Sequence, residues 1–113
     1  MPDKVITVLF YETDMGNKPV KEWLSSLNSQ DKKTIGGDIK TVEYGWPIGM
    51  PTSKKLEKDL YEVRSNISDG KIARVIFTIK ENYMVLLNGF IKKSQKTPLS
   101  EIKLARERKG KIL

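Results

Sequence analysis

The chain is predicted to be one small α+β domain over residues 1–113, an antiparallel-rich sheet with an N-terminal helical hairpin and a C-terminal helix. Three observations predict it. Strand-like and helix-like runs follow the order β, α, α, β, β, β, α, which is segregated rather than alternating as parallel-sheet folds require. Asp69-Gly70 and Glu81-Asn82 separate three successive apolar runs, which implies hairpins. A length of 113 residues suits a single core that is stable without a metal or disulfide staple.

Residues 5–11, VITVLFY, are β-branched and aromatic and read as the first strand. Asn17 and Pro19 mark a helix start, and Val20, Trp23, Leu24 and Leu27 follow at the spacing that gathers apolar side chains on one face. Ser29 is placed to cap a second helix whose Ile35, Ile39 and Val42 share a face. Gly36 and Gly37 weaken that helix by roughly 1 kcal/mol each and mark either a close approach to a neighbour or a break. Residues 45–59, GWPIGMPTSKKLEKD, hold two prolines, two glycines and three lysines, and read as a long surface loop of the kind that is often functional. Three strands are expected at about residues 60–67, 72–80 and 83–91. Thr97 then caps the last helix, with Pro98 in its first turn, Glu101 near its positive end and Gly110 near its close.

Composition narrows the chemistry. There is no cysteine, which fits a reducing compartment, and no histidine, which removes the usual zinc ligand and the usual proton carrier at neutral pH. Catalysis would fall to Lys, Arg, Tyr, Asp, Glu, Ser or Thr, and no cofactor is implied. Twenty-one Lys and Arg against fourteen Asp and Glu give a net charge of +7, which favours a polyanionic partner such as nucleic acid; an acidic protein partner would suit it too. The N-terminal MPDKVITVLFYE lacks the pattern of a signal peptide, and no segment approaches the ~20 apolar residues of a membrane span. The expectation is a cytoplasmic protein without a membrane partner.

Strand parity places two arginines. With Ser68-Asp69-Gly70 as a three-residue loop and Gly70 left-handed, Ile67 lies opposite Lys71 and Arg64 opposite Arg74. One face then carries Leu60, Glu62, Arg64, Arg74, Ile76 and Thr78; the other, more apolar, carries Tyr61, Val63, Ala73, Val75, Phe77 and Ile79 and is the better one to bury under helices. A two-residue Asp69-Gly70 turn would instead send the arginines to opposite faces. Like charges directly opposite one another repel, so something must offset them: Glu62 as a structural ion pair, or an anionic ligand suited to the guanidinium fork. The segment NGFIKKSQKTP, residues 88–98, runs from the last strand to the last helix with Lys92, Lys93 and Lys96 and no acidic residue. Lys92 and Lys93 alternate across the strand end, so one of them faces the Arg74 edge. Thr97 and the helix start add donors, and the segment reads as one wall of an anion cleft. Tyr61, Trp23 and Trp46 read as packing residues.

The runs LYEVR (60–64), ARVIF (73–77) and LLNGFIKKSQKTPLSEIKLARER (86–108), with Lys55-Leu56 ahead of them, resemble the RelE/HigB superfamily of toxin–antitoxin ribonucleases, in its phage-derived, host-killing branch. KKSQKTP is the most specific part. The resemblance implies a RelE-like fold and cleavage of messenger RNA in the ribosomal A site, against rRNA, by attack of a substrate 2′-hydroxyl on the adjacent phosphate without a metal. It also implies a cognate antitoxin, of helix-turn-helix type. Carried over, Arg64 and Arg74 would bind the scissile phosphate and stabilise its developing charge, with Lys93 and Lys96 assisting catalysis; Lys54, Lys55, Lys92 and Thr97 would contact RNA. A lysine acting as base needs a lowered pKa, which neighbouring cations can supply. Relatives often carry histidine where this chain has Asn88, and related enzymes a tyrosine in the last helix where it has none, so the resemblance leaves the base unassigned. A binding module that docks on RNA or the ribosome without cutting, and an inactive partner that only holds an antitoxin, use the same cleft.

Overall fold

The computed structural model describes residues 3–92 and 96–112. β1 (Thr7–Phe10) is followed by α1 (Pro19–Ser25) and α2 (Ser29–Gly45), then by the strands β2 (Ser53–Glu57), β3 (Leu60–Asn66), β4 (Ile72–Lys80) and β5 (Tyr83–Lys92), and finally by α3 (Leu99–Ile112). The five strands form one sheet in the order β1-β5-β4-β3-β2. β2 to β5 are an antiparallel meander, and β1 joins β5 in parallel, so the α1–α2 crossover carries the chain from one edge of the sheet to the other.

β2 corrects the expected loop over residues 45–59. Ser53 pairs with Val63 and is buried, while Lys54 and Lys55 are exposed, and the chain reverses through Asp59 in the left-handed conformation (φ 59°). Lysines suit an edge strand because they deter pairing with a second chain, and they also hide its strand signal.

Both faces of the sheet are covered. α1 packs on β5 and β1 and α2 on β3; beneath them Ile35, Ile39 and Val42 meet Val63, Ala73, Val75, Phe77 and Leu86. Tyr61 lies on this face as parity requires, edge-on to Trp46 and stacked on Phe77. The other face, read as the less apolar, has its own core of Leu60, Ile76, Val85 and Leu87 under Ala105 of α3. The cap of α2 is Asn28 rather than Ser29: its side chain accepts from the Asp31 N–H at 2.8 Å. Asp31 in turn accepts from the Ser68 N–H and hydroxyl, which clamps the β3–β4 loop to the helix. Gly36 and Gly37 neither break α2 nor meet a neighbour, since a Cβ at either would touch nothing within 4 Å.

Two local features set the parity of the site. In the β3–β4 loop the Ile67 N–H donates to the Lys71 carbonyl, Asp69 and Gly70 are both left-handed, and Arg64 pairs with Arg74 as the three-residue reading requires. Between β4 and β5 the register shifts, from Ile76 opposite Asn88 to Phe77 opposite Leu86, which leaves Leu87 as a bulge. Beyond the bulge, Asn88, Phe90 and Lys92 join the arginine face; in an unbroken register Gly89 and Ile91 would have done so. Gly89 turns to the opposite face, where the Trp23 ring lies so close that a Cβ would sit 2.4 Å from it.

Candidate active site

β3 and β4 present Arg64 and Arg74 side by side, and the carboxylate that offsets their repulsion is Glu62, two residues before Arg64 on the same face. Glu62 is 1% exposed, and its Oε1 lies 3.6 Å from Arg64 Nη1 and 3.6 Å from Arg74 Nε. Arg74 is itself buried at 2% exposure, and its Nη1 donates to the Ala73 carbonyl. Arg64 is the more accessible of the two, with 17% of its side chain exposed.

Glu62 Oε2 accepts a 2.8 Å hydrogen bond from the Thr97 hydroxyl. Thr97 lies one residue ahead of the cap position of α3. The first helical bonds run from the N–H groups of Glu101 and Ile102 to the Pro98 carbonyl, so the helix starts one residue later than the sequence suggests. The hydroxyl proton goes to the Glu62 carboxylate, a charged acceptor that makes a stronger bond than a neutral one. Lys92, brought to this face by the bulge, places Nζ 3.5 Å from Thr97 Oγ1. Lys54 of β2 pairs with Glu62 and shares the face. Lys55 pairs with Tyr61, and so lies on the helix-covered face at the rim of a cavity with Trp46. Lys96 is exposed, and Lys93 lies outside the described residues.

The electrostatics follow from this crowding. Burial lowers the pKa of Lys92 from the ordinary lysine value; Arg74 lowers it further, Glu62 opposes, and Arg64 and Lys54 add to the lowering. Arg74 is lowered by its burial and by Arg64, against Glu62. Asn88 is buried and donates to Glu101 Oε1 at 2.9 Å, tying β5 to the start of α3. The sequence reading missed the bulge, and with it the placing of Lys92 on the arginine face. An isolated glycine inside a strand, here Gly89, is the signal that could have marked it. Among the described residues no group of three or more Asp, Glu, His or Cys converges as metal ligands would, and no helix is long and apolar enough to cross a membrane.

No curated protein matches the chain. The family model for the phage derived protein Gp49-like (DUF891) matches residues 22–110, a span that takes in every residue of the cluster. The chain thus belongs to the Gp49-like phage-derived family, a family of toxin–antitoxin type toxins, which implies an antitoxin as its partner.

Proposed function

We propose that the chain is a RelE/HigB-type toxin that cuts messenger RNA in the ribosomal A site, and that Lys92 is its general base. The observation that carries this reading is the amine of Lys92, buried beside Arg74, Arg64 and Lys54 with Glu62 opposing them, because such crowding favours the neutral form that a base requires. Neutral Lys92 Nζ takes the proton of the substrate 2′-hydroxyl; the new bond from that oxygen to phosphorus forms as the bond to the 5′-oxygen breaks. The products are a 2′,3′-cyclic phosphate and a 5′-hydroxyl, the latter protonated by a lysine ammonium, for which Lys93 and the exposed Lys96 are the candidates. Arg64, the accessible guanidinium, holds the scissile phosphate, and buried Arg74 contributes fixed positive charge behind it. Lys54 binds a flanking phosphate. The antitoxin is a helix-turn-helix protein that inhibits by binding.

A second reading, a ribosome-binding module that does not cut, draws on the burial of Arg74 and Lys92, which leaves the exposed lysines to dock on phosphates. Purified protein, ribosomes and a short message separate the two. On the proposed reading the wild type cleaves, and Lys92→Met, which keeps an unbranched side chain one atom shorter and removes the amine, abolishes cleavage while co-sedimentation with ribosomes persists. A wild type that binds ribosomes and leaves the message intact would establish the second reading.

A further inference from the structure

Glu62 raises a question that the cleavage chemistry leaves open. A buried carboxylate among cations is not what stability demands, since packed apolar residues commonly serve as well or better in such places. Its neighbours on this face, Leu60 and Ile76, are fully buried and apolar. Yet Glu62 binds three separate parts of the fold: Arg64 on its own strand, Arg74 across the β3–β4 pair, and Thr97 at the entrance to α3. Through Thr97 it also reaches Lys92, whose Nζ meets the same hydroxyl.

We propose that Glu62 is the positioning residue of this site, its two carboxylate oxygens fixing the Arg64–Arg74 pair with one and, through the Thr97 hydroxyl, the Lys92 amine with the other. The division of labour between the oxygens makes this specific: Oε1 faces both guanidinium groups, and Oε2 takes the hydroxyl. Glu62 touches no substrate in this arrangement. It aims the groups that do, and its charge sets the field at Lys92 against Arg74 and Arg64 and against Lys54 of β2; Thr97, ahead of α3, is the uncharged group of the cluster.

The inference rests on the cleavage reading for its meaning but not for its test. Lys92 can be followed directly by the NMR titration of its side-chain carbons in Glu62→Gln and wild-type protein, with cleavage as a separate assay. Glutamine keeps the shape and an acceptor for Thr97 while removing the charge, so Lys92 should titrate at lower pH than in wild type. Cleavage should fall on the order of a hundredfold, as loss of alignment does, with its pH dependence displaced in the same direction. A folded Glu62→Gln whose Lys92 titrates as in wild type overturns the proposal. If that variant does not fold, Glu62→Asp keeps the charge but shortens the reach; a folded Glu62→Asp with an altered Lys92 titration supports positioning, and an unaltered one overturns it. Failure of both variants to fold also overturns it, because Glu62 would then be a structural residue. Absence of cleavage by the wild type, with the Lys92 shift intact, would remove the cleavage reading and leave the positioning role standing.

Discussion

Alanine at Gly89 introduces a methyl group where the Trp23 ring already lies. The added Cβ would be 2.4 Å from Cε3, 2.5 Å from Cζ3 and 3.0 Å from Cδ2, against the 3.4 Å at which ordinary contact begins. The ring must withdraw by about 1 Å, and it cannot do so freely, because it packs against the core under α1 and α2. Overpacking of this kind costs about 1–3 kcal/mol, and contact with several ring atoms at once places Gly89→Ala at the upper end. A chain of 113 residues loses about 0.24 kcal/mol of stability per degree near its midpoint, so the Tm should fall by about 12 °C. Thermal unfolding followed by circular dichroism reads this directly. Combining Gly89→Ala with Trp23→Leu makes the reading specific: the double variant should be no less stable than Trp23→Leu alone, a coupling on the order of 3 kcal/mol. A Gly89→Ala protein melting within about 3 °C of wild type would refute the claim that Trp23 occupies that space.

Further outcomes follow from the same contacts. Gly36→Ala and Gly37→Ala should each raise stability by about 0.5–1 kcal/mol, since a methyl group there meets nothing and the helix is already formed; denaturant midpoints measure it. Arg74→Ala should cost about 3 kcal/mol or more by opening a buried ion pair, and Arg64→Ala about 1 kcal/mol, while Arg64→Ala alone should weaken ribosome co-sedimentation. Because the folded pKa of Lys92 lies below its unfolded value, the folded state is penalised while the amine is charged in both states. That penalty fades as pH rises from the folded to the unfolded pKa, so stability should climb across that window in wild type more than in Lys92→Met. Cleavage should rise with pH through the folded value, which lies below the ordinary 10.5, and level off above it.

Much of the fold was legible because it rests on local pattern. The apolar spacing of α1, the turn at residues 68–70 and the alternation along β3 and β4 each point to one arrangement, and together they place Arg64 opposite Arg74. β2 was not legible: three lysines and the preceding glycines and prolines outweigh the weak alternation of an edge strand, whose pairing comes from β3 rather than from its own residues. Nor was the parity of β5. A bulge shows in sequence only as an interior glycine, and one extra residue brings Lys92 to the arginine face. Thr97 fits the pattern of a helix cap, but the helix starts one residue later, and the Glu62 carboxylate that its hydroxyl meets is distant in sequence.

The central claim is that the cluster around Lys92 cuts messenger RNA on the ribosome. Induced expression with sequencing of new RNA ends tests it most directly, using a ligation that distinguishes 5′-hydroxyl from 5′-phosphate ends. Growth arrest should come together with new 5′-hydroxyl ends phased to codons in translated messages, both lost in Lys92→Met and both suppressed by the cognate antitoxin. Growth arrest without such ends, or ends that persist undiminished in Lys92→Met, would contradict it.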